Sequence, residues 1–559
     1  MSTARTLALV LFAAAASHAT YVANGFTFQD HGDIEAGRAV RPLSHLPAAL
    51  LERWGDTGFY RPLVTAVHSL DHAAYGLWAP GYHLTSVLLH MGFAAVVWLF
   101  ARRFAGLSES EAMWAALVVA VHPISWLIVG GLAFRQEILV ATFTLSAVAL
   151  HVRAREEGRR ASIVAAAAVF ALALLSKETA LVWFPAVVVL WELGAVRAPK
   201  TARRPLAIAY AAVAVVYLIL RAIAVPDRWR VAPLDLAPDQ AVATRAIMLG
   251  RLLLQLVVPR VPSYSDATPI VGLGDAAALA SVGAILAGLL LALRLGPRSP
   301  LGRVLLFTGI SLAPALHLVP LPRFSSPHYG YLATAGMGML VALAVRWAQG
   351  AGVTVRAAAP GLAAAWVVGA GLVTLGGGPR FKDDVALFAP EVAADPDFVE
   401  GHTQLGLHFM LEGDHARAAA AFEEALQPRP GLLAFRDDRL VLVNLANVRV
   451  AQGRLAEAET LLAEAAPLAR PAEAASIAAN RAALAAQRGD DAAVVQILLP
   501  HLAALPRPEP LMLLARSLGR LGRRDESLDV LRRIVPLVEG DQRRRIEQLL
   551  ASAAASAAR

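Results

Sequence analysis

The sequence predicts an all-α protein: a polytopic membrane helix bundle over residues 1–378, followed by a soluble helical solenoid over 379–559. Three observations carry that prediction. The chain is 57% hydrophobic and 17% charged, whereas soluble domains are roughly 45–50% apolar and 25% charged. Its mean hydropathy is +0.54. The apolar residues gather into runs near the ~20 residues that a membrane span needs. After Arg380 the composition changes to Ala, Leu, Glu and Arg with glycine at intervals.

The first run, 6–22, follows Arg5. It is read as a span or as a cleaved signal peptide, because Ala16-Ser17-His18-Ala19 offers small residues near a cut. Further runs lie at 82–101, 111–121, 136–152, 161–176, 179–194, 205–224, 274–293, 302–320, 329–346 and 358–376, about eleven in all. Basic residues mark every second connection: Arg102-Arg103, then Arg153 to Arg160, then Arg197, Lys200, Arg203 and Arg204, then Arg294 to Arg303, then Arg346 and Arg356. That alternation is expected of cytoplasmic loops. The excess of 51 Lys and Arg over 43 Asp and Glu is therefore read as orientation, and no nucleic-acid partner is expected. Residues 243–260 are apolar but carry Arg245 and Arg251. A mid-bilayer Arg costs at least ~2.5 kcal/mol, so this segment is expected to be an interfacial or re-entrant helix. Eleven crossings then place the tail outside an inner (cell) membrane, on the periplasmic side.

In the tail, Leu405-Gly406, Phe409, Gly413, Ala418, Phe422, Ala425 and Pro430 follow the tetratricopeptide pattern. Weaker copies centre on Gly453, Gly489 and Gly522. The competing reading is a generic Ala/Leu bundle. Tetratricopeptide solenoids form concave surfaces for extended peptides, so exported proteins or peptides are the expected partners. The tail contains no evident catalytic cluster.

The longest polar interruption near the start is Asn24 to Leu63, within a first outer loop of 24–80. Asp30, Asp33 and Glu35 lie close together in it. A membrane protein places its ionisable groups where water or a cavity solvates them. The plain alternative is a solvated connector. His31 with Asp30 and Asp33 is a weak divalent-metal pattern, and no metal ligand is assigned. The absence of cysteine excludes disulfides and thiol chemistry. There is no P-loop, G-x-S-x-G, H-E-x-x-H or dinucleotide fingerprint.

Several motifs resemble, in order, those of the transmembrane-and-tetratricopeptide-repeat O-mannosyltransferases and their bacterial relatives, of the GT-C class. Asn24 to His31 (NGFTFQDH) is similar to their N-G-F-x-x-D-D-H, and Tyr60-Arg61-Pro62-Leu63 to YRPL. Gly81-Tyr82-His83-Leu84 with Leu88-Leu89-His90 is similar to GYHLxNLLLH. His122-Pro123, Arg135 and Glu137 match HPxHxE…GRxD in spacing. Ser176-Lys177-Glu178 resembles (A/S)KE, and His328 to Leu332 resembles RYLYL. The sequence departs from the family at Gln29, Ser125, Leu127 and His328.

The resemblance implies transfer of a sugar from a polyprenyl-phosphate donor. Such a reaction needs a carboxylate to take the acceptor proton and cations for the leaving phosphate. Asp30 is the candidate base, against a loop-fixing role. Arg61 and Arg135 are candidate phosphate ligands, against ion pairing. Glu137, Lys177 and His328 are further substrate-site candidates. Lys177 and Glu178 are also read as neutralising each other, His122-Pro123 as a helix end, and His328 as a neutral tautomer in the bundle. The altered positions favour an alternative of another class, a non-catalytic membrane scaffold that gathers proteins through its repeats. A transporter would leave the repeats unexplained.

Overall fold

The computed structural model describes residues 2–55, 57–195, 202–226, 235–317, 321, 323–469, 471–505 and 507–557. Arg197 and Lys200, two of the orienting basic residues, lie outside the described residues. The chain divides into two compact units. One is Met1–Phe398 with Pro430–Phe435, the other Val399–Arg429 with Arg436–Arg559. The first unit thus runs past residue 378 and takes in a helix beyond the last apolar run.

In the first unit the described residues of each apolar run are mainly helical. The helices are α1 (Thr3–Ser17), α2 (Pro62–Tyr75), α3 (Ala79–Ala105), α4 (Glu109–Val121), α5 (Ser125–Gly130), α6 (Arg135–Glu157), α7 (Arg160–Ser176) and α8 (Ala180–Gly194). They continue as α9 (Arg203–Ala224), α10 (Pro238–Val257), α11 (Ala276–Leu295), α12 (Pro300–Leu312), α13 (Ala333–Gln349), α14 (Val353–Gly377) and α15 (Asp384–Ala394). Local chemistry sets the ends. Ser108 and Glu111 form a capping box at α4, the Asp275 and Ser299 side chains accept first-turn amides of α11 and α12, and Pro62 opens α2. Side chains at these positions satisfy amides that a helix start leaves orphaned.

This is an all-α, multi-pass membrane protein. Among the described residues six helical stretches are long and apolar enough to cross a bilayer: Ala79–Ala105, Leu132–Glu157, Arg203–Ala224, Pro238–Val257, Ala276–Leu295 and Val353–Phe381. Other expected spans form shorter apolar helices at Thr3–Ser17, Arg160–Ser176, Ala180–Gly194 and Pro300–Leu316. The sequence runs at 111–121 and 329–346 become α4 and α13, of 13 and 17 residues. The helices pack closely where glycine permits. A Cβ on Gly338 of α13 would stand 2.3 Å from the Ala115 carbonyl oxygen of α4, so the two backbones meet at a distance only glycine allows.

α10 has the length of a span, which the sequence reading did not give it. Its contacts keep both its ends near one end of the bundle. Ala243 and Ile247 pack with Ala278, in the first turn of α11. At the other end the Leu256 carbonyl bonds His122 Nε2 at 2.9 Å, just beyond the C-terminus of α4. Ser17, ending α1, donates to the Ala120 carbonyl beside it. Residues 258–275 then hold a two-residue strand, β1 (Thr268–Pro269), antiparallel to β2 (Leu432–Leu433).

The second unit is four helix hairpins and a final helix. The pairs are α16 (Val399–Leu411) with α17 (His415–Leu426), α18 (Asp438–Ala451) with α19 (Leu455–Ala465), α20 (Pro471–Gln487) with α21 (Asp491–Leu498), and α22 (Pro508–Arg520) with α23 (Arg524–Ile534). Helix α24 (Gly540–Ala557) ends the described chain. Gly413, Gly453, Gly489 and Gly522, each between the two helices of a pair, have φ of +76°, +77°, +75° and +76°. L side chains rarely adopt that conformation, which is why glycine recurs there. Leu405, Ala418, Phe422 and Ala425 are buried in the first hairpin.

Because the chain lacks cysteine, single cysteines test the placement of α10. Asp239→Cys and Arg260→Cys flank it. In sealed vesicles a membrane-impermeant maleimide is expected to treat both sites alike, labelling both or neither. Labelling of one site alone would show that α10 crosses.

Candidate functional site

The residues picked out from sequence gather around the turn between α5 and α6, Gly131 to Glu137. Asp30 is buried. Its Oδ1 accepts the Ala133 amide at 3.1 Å and its Oδ2 the Thr27 amide at 3.2 Å. Burial pushes its carboxyl up to about 7, against the Thr27 hydrogen bond; Asp33 raises it further, while His31 and the Ala133 amide oppose. Burial is the largest of these causes; the neighbouring Gln29 accepts the Gly32 and Asp33 amides on its backbone carbonyl in the local turn.

Two residues past Ala133, Arg135 opens α6 and is fully buried. It pairs with Asp71 of α2 at 2.6 Å and donates from Nε to Ser86 Oγ at 3.0 Å. A further bond runs to the Tyr82 carbonyl. Its guanidinium is therefore spent inside the protein, tying α2 and α3 to α6. Two residues on, Glu137 Oε1 accepts Lys177 Nζ at 2.5 Å, with both side chains buried. Lys177 and Glu178 form their ion pairs with other residues rather than with each other. Lys177 is extended, φ −162° and ψ 142°, which sends consecutive side chains to opposite sides. Glu178 instead takes Arg61 NH2 at 3.3 Å. Burial pushes the Glu178 carboxyl up, but Arg61 and Lys177 hold it below its ordinary value. Arg61 stacks 4.1 Å from the Phe59 ring centre, and its Nε has no hydrogen-bond partner among the described residues.

His328 is buried, shares a hydrogen bond with Ser326 through Nδ1, and its ring centre lies 5.3 Å from Phe134. His122 ends α4 and its Nδ1 accepts the Ile124 amide. Ser125 bonds His18 Nε2 at 2.8 Å, and Leu127 is buried. Glu137, Lys177, Arg135, Asp30 and His328 thus meet the same seven-residue turn, and Arg61 joins through Glu178.

Sequence reading missed four groups. Asp71 and His68 lie on α2, which was read as loop. An acid on a half-apolar helix was the available signal, since a buried carboxylate needs a partner. Burial and the nearby Arg135 hold the His68 ring well below its ordinary pKa. Asp384 had no signal at all. From 356 residues away its Oδ1 accepts the Phe28 amide at 2.7 Å and its Oδ2 meets His31 Nε2 at 3.1 Å. Phe28 has φ +56°, a strained position for a non-glycine residue. The hydrogen bond from Asp384, then that from Glu35, lift His31 to about 9 against burial. Asp266 is the fourth. Burial pushes its carboxyl up against the nearby Arg323, and its Oδ2 accepts the Phe435 amide. Among the described residues no three His, Asp or Glu side chains are grouped to hold a metal ion.

Residues 79–224 match the family model described as dolichyl-phosphate-mannose-protein mannosyltransferase. That stretch is O-mannosyltransferase-like. The matched stretch carries Arg135, Glu137 and Lys177, while Asp30, Arg61 and His328 lie outside it. The chain is 36% identical over 107 residues to Protein O-mannosyl-transferase TMTC2 of Mus musculus, covering 19% of this chain and 12% of that protein. It is 31% identical over 165 residues to Protein O-mannosyl-transferase Tmtc1 of Drosophila melanogaster, covering 28% and 19%. The chain therefore spans less than a fifth of the length of these relatives. Among solved structures it is similar to ArnT from Cupriavidus metallidurans in the apo state, at 15% identity and a TM-score of 0.41 over 73% of this chain and 81% of that one.

Asp384 is expected to hold the Asp30 loop. In Asp384→Asn the acceptor for Phe28 remains but the charge facing His31 is lost. The His31 titration should fall from about 9 toward the ordinary histidine range, and cleavage within 26–36 by added protease should rise. Wild-type stability drawn from a raised histidine pKa is present below ~6.5 and is lost as pH rises through about 9. The unfolding temperature of the variant should vary less than that of wild type across this window.

Proposed function

We propose that this protein is a membrane glycosyltransferase that takes a sugar from a polyprenyl-phosphate donor and transfers it to exported proteins. The carrying observation is Asp30, a buried carboxyl in the first outer loop poised at about 7, beside a turn that anchors two ion pairs. Asp30 takes the acceptor hydroxyl proton as that oxygen bonds the anomeric carbon; the bond from that carbon to the phosphate oxygen breaks and its electron pair leaves with the lipid phosphate. A carboxylate has about four lone-pair sites, and the Thr27 and Ala133 amides occupy two of them, so two remain, either of which can take the proton. Arg61 is the residue we assign to the phosphate, since its Nε lacks a partner and a guanidinium forks onto phosphate oxygens. Arg135, Glu137, Lys177 and His328 position the turn. The membrane is the inner (cell) membrane, with the tail on its periplasmic side. The four glycine-turned hairpins are one good and three degenerate tetratricopeptide repeats that present acceptor segments.

A second reading keeps one observation of its own. Arg61, Arg135 and Lys177 are each already paired with a carboxylate, as in a scaffold that no longer binds a donor.

Sugar transfer in membranes from polyprenyl-phosphate donors separates the two. Asp30→Asn is expected to lower transfer on the order of a hundredfold or more, as loss of a general base does, with expression unchanged. Gln29→Asp is expected to leave transfer equal or higher. Equal transfer by wild type and Asp30→Asn would remove Asp30 as the base. A wild type with no transfer, restored by Gln29→Asp, would establish the scaffold.

The rate has a pH signature. Asp30 is the active carboxylate only above about 7. Transfer at limiting acceptor is expected to rise about tenfold per pH unit below that value and to level above it. A profile flat between pH 5 and 8 would contradict the assignment.

A further inference from the structure

Helices α13 and α14 leave an apolar cavity of about 360 Å³ between them, lined by no residue of the Asp30 turn. Met337 and Ala348 on α13 and Ala359 and Trp366 on α14 line it, with Val257 at one end and Trp347 at the other. From Met337 to Ala348 the helix advances about 16 Å. That is about half of the ~30 Å hydrocarbon core of a bilayer, the depth of one leaflet. Trp366 Nε1 donates to the Val257 carbonyl at 2.9 Å and closes one end. The other end opens beside Trp347, which is 73% exposed.

The open end is cationic. Arg356 follows the lining residue Val355, is exposed, and has no carboxylate partner among the described residues. Arg346, in the last turn of α13, reaches Glu111 only at 3.6 Å, and its side chain is half exposed. Glu111 also accepts the Ser108 amide, and Glu109 is taken by Arg102 at 3.4 Å. Both nearby acids are thus engaged, while Arg356 faces outward unpaired.

We propose that this cavity seats one acyl chain of an anionic glycerophospholipid, with the headgroup phosphate at Arg356. The apolar walls select a hydrocarbon chain of one leaflet's depth and the arginine selects the charge. This site is separate from any donor site at the Asp30 turn.

Native mass spectrometry of the detergent-purified full chain tests it, with phosphatidylglycerol and phosphatidylcholine of identical chains. One arginine near the headgroups should favour phosphatidylglycerol about fivefold. Arg356→Gln should abolish that preference and Arg356→Lys should keep it. Ala359→Phe, which fills the cavity, should lower retention of both lipids, with far-ultraviolet circular dichroism confirming that each variant is folded. Equal retention of the two lipids by wild type would overturn the proposal. So would an undiminished preference in folded Arg356→Gln, or full retention in folded Ala359→Phe. Displacement of bound phosphatidylglycerol by equimolar undecaprenyl phosphate would also overturn it, by making the cavity a polyprenyl site.

Discussion

Arg135 has no water to hold its charge, and the packing of α2 and α3 against α6 is arranged around that fact. The guanidinium is fully buried at the first residue of α6. Desolvating an ion costs several kcal/mol, and breaking such a pair leaves an uncompensated charge worth about 3–5 kcal/mol. Asp71 supplies the opposite charge, Ser86 and the Tyr82 carbonyl supply acceptors, and the three come from α2 and α3. The ion pair thus fixes where the outer-loop helix α2 sits against the bundle. It also fixes the turn before α6, because Ala133 and Phe134 precede Arg135 directly. Asp30 and His328 both rest on those two residues.

The same apolar surroundings act oppositely on neighbouring carboxyls. Asp30 accepts only amides, so burial wins and its affinity for a proton rises. Glu178 is only partly buried and faces Arg61, and its carboxyl is held down. The nearest charge and the shallower placement both act in that direction. Two carboxyls pushed apart in this way are the arrangement from which acid–base roles are assigned.

Much of the fold was legible because membrane insertion is a one-dimensional constraint. Apolar runs, basic connections and turn glycines at a repeating interval are local signals, and the described residues of each run are mainly helical. What escaped reading was of two kinds. Helix α2 carries Asp71 and His68 inside, so its composition resembled a loop; only the partner at Arg135 makes those residues compatible with burial. Lys177 and Glu178 are adjacent in sequence and invited a mutual pairing, but extended backbone at Lys177 assigns them to Glu137 and Arg61. Both errors have one cause. A charge's partner is set by tertiary contact, and the sequence offers only neighbours.

Asp384 and the segment Pro430–Phe435 carry that lesson furthest. Both lie hundreds of residues beyond Asp30, yet both belong to the first unit. Asp384 holds the Phe28 amide, and with it a backbone conformation that costs of order 1–3 kcal/mol unless its surroundings impose it. The Phe28 ring lies against Tyr264 at 6.0 Å, and the Arg323 guanidinium stands 5.5 Å from Phe28, 5.0 Å from Tyr264 and 6.0 Å from Phe435. Phe435 in turn is pinned through its amide to Asp266, two residues before the strand that pairs with Leu432–Leu433. The strained residue two positions before Asp30 is thus braced on one side by an acid after the last span. On the other side it is braced by an aromatic set that closes only when the 430–435 strand is in place. The geometry of the candidate base is therefore a property of the whole first unit, including the short segment of chain that returns to it after α17.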